Sequence, residues 1–116
     1  MEHPRRRTGW RRWAALGAGA LAVAIVTAGP APASSTVAVG IADFTYSPTT
    51  LTVPVGTTVT WINHDEEPHT VTSATSEFTS AGLGNEDTFA QTFERPGTYA
   101  YFCALHPRMR ATVVVK

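Results

Sequence analysis

The sequence predicts a small all-β domain, an antiparallel sandwich or barrel, placed behind an N-terminal export segment. Three observations carry this. Short runs of Val, Thr, Ile and aromatic residues alternate with period two; Gly and Pro turn signals separate them; and no helix-period segment of useful length follows Ala33. A length of 116 residues with 43% hydrophobic content fits one domain, and a single cysteine excludes a disulfide-stapled scaffold.

In chain order, Val37, Val39 and Ile41 alternate with Ala38, Gly40 and Ala42, and Leu51, Val53 and Val55 alternate with Thr52 and Pro54. Val59 and Trp61 form a third run, Phe89, Gln91 and Phe93 a fourth, Tyr99 and Tyr101 a fifth, and the chain closes on ATVVVK. Such residues suit a pleated, half-buried surface. Turns are expected at Ser47-Pro48, Val55-Gly56, Gly82-Leu83-Gly84 and Pro96-Gly97, the last as a type II turn. Pro54 has no N–H, which places its strand at an edge or at a bulge.

Charge separates the chain into two parts. Residues 1–33 hold five arginines against Glu2, whereas residues 34–116 hold four basic side chains against eight acidic ones. The acidic second part argues against nucleic-acid binding through a basic surface. MEHPRRRTGWRRW is basic, Ala14–Gly29 is a 16-residue apolar run, and Ala31-Pro32-Ala33 supplies an A-x-A site. This is the pattern of a secretory signal peptide over residues 1–33. The run is short for a helix crossing ~30 Å of hydrocarbon. The alternative is an uncleaved anchor, and a membrane association is expected only in that case. No cysteine follows the run to take a lipid, and the export route stays open. The mature chain, residues 34–116, offers a small core that a bound metal would help to hold in one structure.

The chemistry lies in YFCALHPRM, where Cys103, His106 and Met109 fall at steps of three between two strands. EEPHTVTS adds His69, 34 residues before Cys103, at the start of an apparent strand. A thiolate, two imidazoles and a thioether make the trigonal His₂Cys set with a weak axial Met that binds copper. Soft sulfur favours Cu(I), imidazole suits both oxidation states, and an intermediate geometry needs little rearrangement when an electron moves. Pro68 and Pro107 restrict the backbone beside the histidines. Taken singly, Cys103 reads as a small core residue, Met109 as core filler and His106 as a surface histidine; the joint pattern reverses those readings. His64 competes with His69, but sits among Asp65, Glu66 and Glu67 in what reads as a solvated loop tip. Zinc takes a thioether poorly. A Cys103–His106 nucleophile lacks an evident orienting carboxylate or oxyanion hole.

These segments resemble the cupredoxins, the type 1 blue copper proteins, and within them the amicyanin and pseudoazurin branch. The resemblance runs through FTYSPTTLTVPVGTTVTWINHDEEPHTVTS and FERPGTYAYFCALHPRMRATVVV, and the two-residue gap between His106 and Met109 is the short loop of amicyanin. It implies an eight-stranded Greek-key sandwich holding one copper ion near one end. His69, Cys103 and His106 would be its equatorial ligands and Met109 its axial one. The implied function is one-electron transfer by an exported, periplasmic or extracellular monomer, not substrate conversion. A transient redox partner would dock on an apolar rim of Pro68, Leu105 and Pro107 around His106. Extracytoplasmic copper storage or delivery with the same ligands is the alternative. Two positions depart from the family pattern. Thr70 stands where Asn often follows the first histidine; it keeps the backbone N–H that meets the thiolate but changes the side-chain bracing. Ala111 stands where Gly is common.

Overall fold

The computed structural model describes residues 17, 19–24 and 35–116; most of the expected export segment, including its A-x-A site, lies outside these residues. Among the described residues, eight strands form two four-stranded sheets. They are β1 (Thr36–Ala42), β2 (Thr45–Ser47), β3 (Thr50–Val53), β4 (Thr57–Asn63), β5 (Thr72–Ser73), β6 (Thr88–Phe93), β7 (Gly97–Phe102) and β8 (Arg110–Val115). One sheet has the order β2-β1-β4-β6 and the other β3-β8-β7-β5. Among the described residues no helix is long and apolar enough to cross a membrane.

The alternating residues do what their period demands. Val39, Ile41, Val59, Trp61 and Phe93 from the first sheet face Val53, Tyr101, Ala111, Val113 and Val115 from the second, all buried. Trp61 is fully buried, and its ring lies 5.4 Å from Tyr101 and 5.8 Å from Phe89. That interior is the apolar payload of a short chain: a fully buried Val, Ile or Phe contributes roughly 1.5–3 kcal/mol.

The sheets are not purely antiparallel, as the strand pattern alone led us to expect. β1 runs parallel to β4 and β3 parallel to β8. After β1 and β2 the chain crosses to the second sheet as β3 and returns as β4, so strands brought side by side point the same way. Side-chain period carries no information on that choice. β3 is an edge strand ending at Val53, and Pro54 follows it, so the missing N–H costs no ladder bond. Val55 falls outside the strand and is exposed. Thr57 N–H donates to Pro54 O across Val55-Gly56, and Gly56 takes φ 90, the left-handed value that a type II turn requires at its third residue. At Pro96-Gly97 the expected type II turn is absent: Gly97 has φ 159, an extended value, and opens β7 opposite Val115.

Two elements lack a sequence counterpart. β2 folds back on β1 through a two-residue turn, with Ala42 paired to Thr45 and both Asp43 (φ 51) and Phe44 (φ 58) left-handed. This is the type I′ hairpin geometry, usually given to Asn and Gly. The strand expected from His69 onward is broken instead into a single bridge, His69 to Leu83, followed by the two-residue β5.

Candidate metal centre

The sandwich brings two segments together at one end. The first follows β4. Asn63 is fully buried, and its Nδ2 donates to Glu67 O (2.9 Å) and Leu83 O (2.8 Å) while its Oδ1 accepts from Asp65 N–H (2.9 Å). One amide thus folds the acidic stretch into a tight loop that delivers His69 to the interior. His69 is fully buried, and its backbone is doubly bonded to Leu83: N–H to Leu83 O at 3.0 Å, and O from Leu83 N–H at 2.7 Å. The second segment is the loop from β7 to β8. His106 N–H donates to Cys103 O (3.2 Å), Met109 N–H to His106 O (2.9 Å) and Cys103 N–H to Met109 O (3.1 Å). These nested turns point several side chains of one short loop toward one place.

Cys103 is a free, fully buried thiol. Its Sγ lies 3.9 Å from His69 Nδ1 and 3.6 Å from His106 Nδ1, and the two Nδ1 atoms are 3.2 Å apart. A triangle with those sides has a point about 2.1 Å from all three atoms, a metal–nitrogen bond length and slightly short of a metal–thiolate one. One thiolate and two imidazoles converging on such a point fit a copper or zinc ion; no general base or substrate atom is needed to explain them. Met109 is buried in the same loop, at 6% exposure.

Neighbouring groups hold the donors in place. Thr70 N–H points at Cys103 Sγ at 3.3 Å, and Thr70 Oγ1 accepts from Ala104 N–H at 2.7 Å. The residue that departs from the family pattern therefore ties the two segments together with its own hydroxyl. Tyr46 OH donates to the Thr70 carbonyl at 2.5 Å, and burial pushes its phenol well above the usual range, with Cys103 adding to the effect. Pro68, Leu105 and Pro107 are exposed, and His106 is half-buried. His64 is exposed and pairs with Glu86 at 3.1 Å, away from the thiol.

Sequence reasoning missed Asp65. Its carboxylate accepts the backbone N–H groups of Asp43 (2.7 Å) and Phe44 (2.9 Å) and meets His69 Nε2 at 2.8 Å. The Phe44 bond is the largest influence and holds its pKa below the usual carboxylate value; burial, next in size, opposes it, and the His69 and Asp43 bonds add to the lowering. An ionised carboxylate only accepts, so His69 carries its proton on Nε2 and leaves Nδ1 free to face Cys103. Phe44 was missed as well. Its ring stands edge-on to His69 (5.0 Å) and to His106 (4.9 Å). Nothing in an acidic run or in an isolated Asp-Phe pair marks either role; only the hairpin register brings them to the histidines.

A two-sheet sandwich with a thiol and two imidazoles gathered at one end defines a cupredoxin. The chain belongs to that family, whose cupredoxin-like domain model matches residues 15–115. Within it the chain is similar to amicyanin from Paracoccus denitrificans, with 39% identity over 89 residues covering 72% of this chain and 68% of that one. Among solved structures, the Cu(I) form of an amicyanin variant matches with a TM-score of 0.68 at 37% identity, covering 72% of this chain and 85% of that one. A purple cupredoxin from Nitrosopumilus maritimus matches with a TM-score of 0.66 at 35% identity, covering 69% of this chain and 99% of the other. Copper, one ion per chain, is accordingly its cofactor, and the donor set fits it.

Proposed function

We propose that this protein is an exported one-electron carrier whose copper would be held by His69, Cys103, His106 and Met109. The observation that carries the reading is the triangle of Sγ and two Nδ1 atoms at 3.2, 3.6 and 3.9 Å. When bound, copper supplies the Cu(II)/Cu(I) couple; the chain's own residues do the rest. His69 and its bonds to Leu83 and Asp65 set a frame that keeps the same donor positions in both oxidation states. Thr70 N–H offsets charge on the thiolate. His106, at the surface, is the point nearest a partner, and exposed Leu105, Pro68 and Pro107 form an apolar rim for a small, transient encounter.

Residues 1–33 act as a cleaved leader on this reading, so the working form is a periplasmic or extracellular monomer of residues 34–116, associated with a membrane only where the leader is retained. Its partner is a redox protein rather than a nucleic acid.

The test is the visible spectrum of the purified, Cu(II)-loaded protein beside Cys103→Ser. An intense thiolate-to-copper band with fast, reversible reduction in the native protein, lost in the variant, is the expected result. Retention of Cu(I) alone with ready handover to an acceptor supports copper delivery instead and overturns the carrier reading. Mass spectrometry of the exported protein checks the leader, with Ser34 the expected first residue.

A further inference from the structure

We infer that Asp65 is a positioning residue of the metal centre: its one carboxylate sets the tautomer of His69 and, with the same two oxygens, holds the Asp43–Phe44 turn so that the Phe44 ring closes on both imidazoles. The inference rests on the ligand assignment just proposed and goes beyond it to residues outside the donor set.

The Asp43–Phe44 turn holds a conflict. Asp43 and Phe44 both adopt left-handed backbone, which crowds the Cβ of an L-residue against the following carbonyl oxygen. A turn of this type would be far better served by Asn-Gly. What stands in place of that chemistry is a carboxylate from 21 and 22 residues away, accepting the N–H of each turn residue. The turn is therefore held by a group that belongs to the His69 segment, and the two cannot move independently. Asp65 Oδ2, which takes the Phe44 N–H, is also the oxygen on His69 Nε2. The side chain of Asp65 is only 12% exposed and that of His69 fully buried, so water competes poorly for these bonds.

Two consequences follow at the site. With Nε2–H committed to the carboxylate, the lone pair of His69 must lie on Nδ1, the atom that faces Cys103 and His106. Without Asp65 the ring is free to take the other tautomer and present N–H where a lone pair is required. Phe44, 42% exposed, shields the outer side of the histidine pair with its ring at 4.9–5.0 Å from each. This contact accounts for its bulk at a position that disfavours bulk.

The tautomer is read in metal-free protein by long-range ¹H–¹⁵N correlation of the imidazole nitrogens, so it stands apart from any result on electron transfer. We expect His69 of the native protein to show a protonated Nε2 and an unprotonated Nδ1. Asp65→Ala gives a mixed tautomer and roughly ten- to hundred-fold weaker copper binding. Asp65→Glu restores both at least in part. Should Asp65→Ala fail to fold, Asp65→Asn, which keeps an acceptor oxygen but not two free ones, shows the same changes to a smaller degree. Phe44→Asn keeps a residue that tolerates left-handed backbone and removes the ring. The expected result is an unchanged His69 tautomer with a His106 ring whose signals broaden or average. A native-like tautomer and copper affinity within twofold in the foldable Asp65 variants overturns the inference. Unchanged His106 signals in Phe44→Asn overturn its Phe44 half. A native protein that shows this tautomer but no intense copper band refutes the carrier reading and leaves the positioning role standing.

Discussion

The two histidines of the centre sit 3.2 Å apart and are held in opposite ways. His69 is fully buried, doubly bridged to Leu83 through its backbone and bonded to Asp65 through its ring. His106 is half-buried, sits in a loop whose own turns run between residues 103, 106 and 109 and which Thr70 ties to the frame at Ala104, and rests on Phe44 through a ring contact. One imidazole belongs to the sandwich and the other to the loop. On the proposed reading the frame fixes geometry against the change in oxidation state, and the loop brings the centre within reach of the surface.

The largest effect follows from removing each histidine in turn. His69→Ala takes out a buried ring and leaves the Asp65 carboxylate without one partner. It should destabilise the metal-free protein by about 2–4 kcal/mol in urea titrations and abolish the copper band irrecoverably. His106→Ala should cost under about 1 kcal/mol, as expected of a partly exposed side chain, and added imidazole should restore much of the band from solution. Equal stability losses, or equal rescue, would break the contrast between frame and loop.

Smaller but informative is Thr70→Val, which keeps the shape and the backbone N–H on Cys103 while deleting the hydroxyl that accepts from Ala104. Loss of that bond should cost about 1–2 kcal/mol and loosen the loop relative to His69. Faster amide exchange at Ala104, with exchange at Leu83 unchanged, is the measurement that locates the loss at the seam between the two segments. Met109→Leu conserves volume in the core, so its cost in stability should stay below about 1.5 kcal/mol. The reduction potential should nevertheless rise, because a weak thioether donor to Cu(II) has gone. A potential equal to that of the native protein would remove Met109 from the proposed donor set.

The loop half of this contrast was legible in the sequence and the frame half largely was not. Cys103, His106 and Met109 lie within seven residues, so the chemistry declares itself by residue type. The core strands β1, β4, β6, β7 and β8 show their period because one face of each is buried. Frame residues act through tertiary contact. Asn63 is one polar residue at the end of a strand, and Asp65 lies in an acidic run that reads as solvent-facing. Both acquire their meaning only when Leu83 and the Asp43–Phe44 turn arrive from elsewhere in the chain. That turn has neither Asn nor Gly, so its left-handed backbone carries no local sign. The parallel pairings of β1 with β4 and β3 with β8 depend on which sheet each strand joins, a property of the whole chain.

The smallest effect tests whether a tight polar loop without a donor behaves differently from the frame. Between β5 and Phe78, the Glu77 carboxylate accepts from Ser73 Oγ (2.6 Å) and from Thr75 Oγ1, and these bonds, Ser73 first, hold its pKa below the usual value. A carboxyl group with a depressed folded-state pKa stabilises the fold at pH values above its unfolded pKa of about 4.3. That contribution is lost as pH falls from there through the lowered folded value. Glu77→Gln has no such proton to take up. Its stability should therefore fall less steeply than that of the native protein below about pH 4.3, with only a small loss at neutral pH for so exposed a group. Asp65, also depressed, keeps its share of the acid dependence in this variant. Acid titration of the metal-free proteins gives the slopes, and the copper spectrum at pH 7 gives the control. An altered spectrum in Glu77→Gln would show that strain in this loop reaches the centre, and the division between frame and loop would then have to include the β5 turn.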